Sequence, residues 1–246
     1  MARLKTEAIV LKRTDLGESD RLITLLSKDY GKFKAIAKGA RRSKRRFSGC
    51  LELFSQVRVQ YVDRGRSLHR LEEAVLVDSH EPLKTDLIAI AHAGYVTELA
   101  AAFLGESDEA AATYQFLVET LSVLDQGPMQ TTDLRRYELS VLRLAGFAPQ
   151  FDACLDCDAS QSPDWHFDID QSGVLCNDCI SSAYLVKITA PVRRFLSDLQ
   201  SGQTSLSKID PACQSQARDL LAKIIDRHLG KPLKSREFLR QLAQKK

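Results

Sequence analysis

The sequence predicts an α+β chain of two modules: a small five-stranded antiparallel barrel, then an α-helical domain with an inserted four-cysteine knuckle. Three observations carry that expectation. Up to residue 80, short runs alternate apolar and polar residues and are separated by Gly/Asp/Ser turns. Beyond residue 83 the apolar period lengthens to that of a helix. Finally, the cysteines at 154, 157, 176 and 179 fall into two C-x2-C pairs.

At 246 residues and 44% hydrophobic, the chain can bury a core in two modest domains, read as 1–80 and 81–246. The net charge of +3 conceals a division. Residues 1–80 carry 18 Lys/Arg against 10 Asp/Glu, and the remainder 17 against 22. A polyanion is therefore expected to approach the first module, in a salt-dependent way. No apolar run approaches the roughly 18 residues of a membrane span, and the N-terminus lacks a secretory h-region and cleavage site. The expectation is a cytosolic protein with reduced cysteines, whose spacing points to metal rather than disulfides.

In the first module, residues 6–13 and 21–27 read as strands, with Asp15-Leu16-Gly17-Glu18-Ser19-Asp20 as the turn between them. Asp29-Tyr30-Gly31 turns the chain into a third strand, in which Phe33, Ala35 and Ala37 alternate with Lys32, Lys34 and Lys38. Val57, Val59 and Tyr61 mark a fourth strand and residues 68–77 a fifth. Five short strands without a long helix suggest an OB-fold, with an SH3-like barrel as the competing shape.

Between strands three and four lies Gly39-Ala40-Arg41-Arg42-Ser43-Lys44-Arg45-Arg46-Phe47-Ser48-Gly49. Its five cations fall within six residues, a density that calls for anionic partners. Guanidinium forks suit phosphate, and a ring beside them suits base stacking. The candidate nucleic-acid contacts are Arg41, Arg42, Lys44, Arg45, Arg46 and Phe47, with Lys32, Lys34 and Lys38 extending the face. The bland reading of such a run is a solvated loop or an address signal.

In the second module, helical periodicity covers residues 83–104, 109–125, 134–144, 192–199, 217–229 and 235–243. Such stripes are more often core than binding grooves. No HExxH, GxSxG, P-loop or paired-carboxylate motif is present, so a non-enzymatic role is expected.

The insertion, residues 151–181, carries C-x2-C-x18-C-x2-C. Two such turns supply four thiolates to a tetrahedral Zn²⁺ and leave no position for a reactive water, so Cys154, Cys157, Cys176 and Cys179 read as a structural site. An iron–sulfur cluster is the alternative. A small strand is expected at 164–169. The loop's aspartates argue against nucleic-acid contact there.

In this order, Glu7-Ala8-Ile9-Val10-Leu11, Gly17-Glu18-Ser19-Asp20-Arg21-Leu22, Lys38-Gly39-Ala40-Arg41-Arg42, Phe47-Ser48-Gly49 and Leu51-Glu52-Leu53-Phe54 resemble the bacterial recombination mediator family RecO. So do Arg136-Tyr137-Glu138-Leu139, Leu144-Ala145-Gly146-Phe147-Ala148-Pro149 and Gly230-Lys231-Pro232-Leu233-Lys234-Ser235-Arg236. The resemblance spans nearly the whole chain. It implies an OB-fold, a helical domain and non-catalytic work in DNA repair and recombination. RecO-like proteins bind single- and double-stranded DNA, anneal complementary strands, engage single-stranded-DNA-binding protein (SSB) and, with RecR, help RecA replace it. The acidic, apolar-ended SSB tail would need a cation-rimmed apolar pocket, for which Arg135, Arg136 and Arg143 on the third helix are candidates. The competing function is a zinc-containing RNA-binding or transcription-regulating module on the same barrel.

Overall fold

The structure is a computed structural model that describes residues 2–43, 45–47, 49–63, 65, 68–103, 110–180, 184–203 and 209–243. The chain forms two compact units, one of residues up to Met129 together with those from Lys234 onward, the other Gln130–Leu233.

In the first unit, β1 (Arg3–Leu16), β2 (Asp20–Ser27), β3 (Gly31–Ala37), β4 (Gln56–Val62) and β5 (Leu68–Asp78) close a barrel in the order β1-β2-β3-β5-β4. Strands β1–β2, β2–β3 and β4–β5 pair as antiparallel hairpins, and β1 also pairs antiparallel with β4. One seam is parallel, β3 against β5, with Lys34 opposite Leu68 and Ala37 opposite Leu71. A five-stranded closed barrel of this Greek-key kind is the OB architecture. The alternation that marks the strands in the sequence also sorts their faces: Phe33, Ala35 and Ala37 point into the barrel, joined by Val57, Val59, Tyr61 and Leu71.

β1 is long because a bulge at Val10–Lys12 lets it bend and continue to the hairpin tip. The chain returning from the basic loop inserts at that bulge. Phe54 donates its N–H to Val10 O, and Val10 donates to Ser55 O.

Helices α1 (Leu87–Phe103) and α2 (Ala110–Leu124) follow the barrel within the same unit. Where β5 gives way to them, the His80 ring is 1% exposed and its Nδ1 lies 2.6 Å from Asp125 Oδ2. The last helix, α6 (Lys234–Ala243), also belongs here. The Glu98 carboxylate of α1 accepts N–H bonds from Lys234 and Ser235, supplying the cap that α6 lacks in its own sequence.

The second unit holds α3 (Thr131–Leu144), β6 (Trp165–Asp168), β7 (Gly173–Cys176), β8 (Leu185–Ile188), α4 (Ala190–Gln200) and α5 (Pro211–Leu229). The expected single strand at 164–169 is the centre of a three-stranded sheet ordered β7-β6-β8. Four-residue strands are too short to show a period. Helix α5 starts six residues before the first residue predicted for it, because Pro211 sits in its first turn, where a missing N–H costs nothing.

Candidate nucleic-acid interface and metal centre

The basic loop leaves β3 at Ala37 on the same end of the barrel as the β1–β2 hairpin tip, and the two are stitched together. Asp20 Oδ1 accepts the Gly39 N–H at 2.8 Å and the Ser19 hydroxyl at 2.9 Å. The Gly39 N–H, then the Ser19 hydroxyl, hold the Asp20 carboxyl below the usual carboxylate range, with Lys38 adding to the effect against a smaller opposing push from desolvation. Gly39 itself has φ +68°, so a residue without Cβ eases the turn. Arg41 then donates its N–H to Ser19 O at 3.0 Å and a guanidinium N–H to Gly17 O at 3.2 Å.

The far side of the loop is pinned to β5, where Ala74 donates its N–H to Arg46 O at 3.0 Å. Phe47 is 3% exposed within the barrel core beside Cys50 and Leu51. Its expected role as a stacking ring is therefore corrected. The ring is the loop's apolar anchor, and the Arg46 guanidinium carbon covers its remaining face at 5.1 Å from the centroid. Phe33, Phe54 and Tyr61 are likewise buried. The aromatic ring that the barrel does expose, among the described residues, is Tyr30 (49%), at the β2–β3 turn on the opposite end.

With the backbone so held, Arg41, Arg42, Arg45 and Arg46 are all exposed. Asp15 and Glu18 approach Arg41 and Arg42 only to 3.8 Å, and the Arg42 side chain stays 74% exposed. Pairs this open contribute little and leave the guanidinium groups free to exchange partners. Arg46 donates to Lys38 O at 2.8 Å, which sets its direction without neutralising it. Lys34 and Lys38 are exposed, whereas Lys32 is half-buried and donates its ammonium to Ala101 O of α1. Lys44 lies outside the described residues.

In the second unit, the four cysteines converge although 19 to 25 positions separate the two pairs in sequence. Their Sγ atoms lie within 4.8 Å of one another, with Cys157 and Cys176 at 3.6 Å. A tetrahedron of Zn–S bonds near 2.3 Å requires S···S separations of about 3.8 Å, so the donor set fits a thiophilic ion. The site's electrostatics point the same way. Burial pushes the Cys154 thiol up, but N–H groups of Cys176, Asp156 and Cys157 outweigh it and bring it to about 6. The neighbouring sulfurs of Cys176 and Cys157 push Cys179 up instead. One thiolate is thus favoured, and gathering more of them calls for a cation at the centre.

Two features absent from the motif hold the knuckle in place. Leu155, inside the first C-x2-C turn, packs so close to Gly173 that a Cβ there would meet its side chain at 2.6 Å. Arg193 of α4 reaches across to donate to the carbonyls of Phe151, Asp152 and Ser160.

The three α3 arginines part company. Arg135 is 6% exposed and paired with Glu138 at 2.9 Å, which withdraws it from any docking rim. Helical spacing explains this, because Arg135 shares a face with Glu138, Leu139 and Leu142, all buried. Arg136 bonds Asp133 and Gln203 O at 3.3 Å each, and Arg143 is exposed.

Comparison with known proteins supplies the family. The family model described as Recombination protein O N terminal matches residues 1–80, and that described as Recombination protein O C terminal matches 84–237. The DNA repair protein RecO of Anaeromyxobacter sp. (strain Fw109-5) is 35% identical over 246 residues, covering 96% of this chain and 95% of the relative. That of Myxococcus xanthus (strain DK1622) is 36% identical over 98% of this chain and 99% of the relative. The DNA repair protein RecO of Geobacter sulfurreducens is 35% identical over 98% of this chain. A chain whose residues 1–80 and 84–237 match the two halves of one family, and which is 35–36% identical to these relatives over nearly its whole length, is a member of the RecO family of DNA repair proteins.

Proposed function

We propose that this protein binds single- and double-stranded DNA through the loop carrying Arg41, Arg42, Arg45 and Arg46, and anneals complementary strands. One observation carries the reading. Four exposed guanidinium groups stand on a loop whose backbone is fixed at both sides, at one end of an OB-type barrel, in a RecO-family chain. Annealing requires cations that offset repulsion between two phosphate backbones while the bases stay free to pair. A loop rich in arginine with its only ring buried meets both conditions, since it grips backbones and offers no aromatic ring to compete for bases.

Within that reading the protein works without covalent chemistry, together with RecR, to help RecA replace SSB on single strands in the nucleoid. No helix among the described residues is long and apolar enough to cross a membrane. Arg136 and Arg143 are the remaining candidates for the SSB tail, and Cys154, Cys157, Cys176 and Cys179 would hold a structural Zn²⁺.

The test replaces Arg41, Arg42, Arg45 and Arg46 together by Ala and follows oligonucleotide binding by fluorescence anisotropy across a salt series. The expected result is weaker binding and a shallower dependence on salt, by about 0.7 in slope for each single-strand phosphate no longer neutralised. Annealing of SSB-coated complementary strands should fall in parallel. Unchanged affinity and slope would overturn the reading, and preference for RNA over DNA of one sequence would redirect it to RNA.

A further inference from the structure

The hairpin tip facing the basic loop carries three carboxylates, and they do different things. Asp15 and Glu18 face the Arg41 and Arg42 guanidinium groups across 3.8 Å, as loose counter-charges to the loop, and Asp15 also accepts the Arg21 Nε–H at 3.3 Å within its own hairpin. Asp20 instead directs an oxygen to the loop's backbone, at the Gly39 N–H, where the chain has φ +68°. Two residues further on, Arg41 closes the arc through its own N–H to Ser19 O and its side chain to Gly17 O. The segment from Gly39 to Arg41 is therefore shaped by the residues of the turn at Gly17, Ser19 and Asp20.

We infer that Asp20 is a positioning residue for nucleic-acid binding: it holds the Gly39–Arg41 arc so that Arg41 and Arg42 are presented together toward a phosphate backbone. This rests on the reading that the loop binds nucleic acid, and it explains why an acidic residue stands beside a cationic surface whose attraction for polyanions its charge alone would reduce. A loop dense in like charges tends to spread, and a spread loop must be ordered again on binding. Fixing its backbone beforehand removes that cost from the binding step. Spending the carboxylate on an N–H also leaves less of its charge to compete for arginine.

The sign of the effect tests the proposal. Asp20→Ala removes the acceptor and a negative charge, and Asp20→Asn removes the charge but keeps an oxygen for the Gly39 N–H. If Asp20 positions the loop, Asp20→Ala weakens binding of a single-stranded oligonucleotide about tenfold and flattens the salt slope, while Asp20→Asn stays within about twofold of the parent. If Asp20 is only a competing anion, both variants bind more tightly, and the proposal is overturned. Equal affinity of Asp20→Ala and the parent overturns it as well.

Should Asp20→Ala not fold, backbone amide exchange on the unaltered protein decides the matter. Gly39 and Arg41 should exchange more slowly than Arg45, and equal rates reject the clamp. Loss of binding in the four-arginine variant beside parent-like behaviour of Asp20→Ala would sink this inference alone. Retained binding in the four-arginine variant would sink the underlying reading.

Discussion

Arg193 lies over the indole of Trp165, its guanidinium carbon 4.4 Å from the ring centroid, while its N–H groups reach three carbonyls of the segment before β6. One side chain of α4 thereby fastens the segment that carries the first two cysteines. Burial outweighs every other influence on Arg193 and pulls its pKa down, yet the residue remains a cation. Arg193→Ala is expected to lower the stability of this unit by about 2–4 kcal/mol, through the missing charged hydrogen bonds and cation–π interaction. Arg193→Lys, which keeps charge but not the fork, should recover less than half. Chemical denaturation followed by Trp fluorescence measures both.

Phe47 makes a prediction opposite to that of a stacking ring. Phe47→Ala should cost about 3–5 kcal/mol in thermal or denaturant unfolding, because it opens a cavity in the barrel core. Phe47→Leu should keep most of the stability and bind oligonucleotides much as the parent does. A Leu variant that folds normally but loses affinity would return the ring to the interface.

Removal of a metal held by the four cysteines would be readable at a single residue. Trp165 is the sole tryptophan and is 1% exposed in the strand that pairs with Cys176. Stripping the ion with a chelator, or changing Cys154 to Ser, should shift its emission to longer wavelength and lower bound zinc toward none, measured by elemental analysis. An emission spectrum indifferent to chelation would show that the knuckle stands without an ion.

Gly173→Ala tests the close packing against Leu155. The added methyl would sit 2.6–2.7 Å from the Leu155 side chain unless Leu155 moves, and Leu155 is flanked by two of the cysteines. Lower metal affinity and a destabilisation of about 1–3 kcal/mol are expected, the usual range for overpacking. Competition with a chromogenic chelator reports the first, and unfolding the second. The double change Gly173→Ala with Leu155→Ala should recover part of both.

Asp164 titrates below the ordinary carboxylate range, chiefly through its 2.9 Å bond to Lys187 and the charge on that residue. A depressed folded-state value contributes stability above the unfolded value of about 3.9, and that contribution fades as pH falls through the folded one. Lys187→Met should therefore return the Asp164 carboxyl toward its usual titration, seen by NMR. Any stability difference between parent and variant should be present at neutral pH, begin to shrink near about pH 4 and disappear only as pH falls through the lower folded-state value.

Much of this architecture can be read from residue order alone, and the exceptions share a cause. Alternation in Phe33, Ala35 and Ala37 marks β3 and its faces, but nothing nearby in sequence reveals that its far edge pairs in parallel with β5. Two C-x2-C pairs disclose the four-cysteine cluster because each turn is a local geometric unit. The roles of Asp20 and Arg193 stay hidden since their partners are main-chain groups at distant positions, which leave no trace in residue type. Phe47 is a different case. A ring among arginines is equally consistent with an anchor and with a stacking platform, and only the packing decides. Arg135 was within reach of sequence reasoning, as its helical spacing to Leu139 and Leu142 places it on the apolar face.

Glu98 caps α6 from α1, so the last described helix completes the unit that the first residues begin. During synthesis, then, the amino-terminal half emerges long before the piece that finishes it, and must wait for the whole intervening unit to leave the ribosome. A fragment ending at Met129 would leave the Glu98 carboxylate without the α6 N–H groups, whereas grafting residues 234–243 behind a flexible tether should restore that cap. A prematurely terminated chain would thus lack a helix of the very unit that carries the arginines.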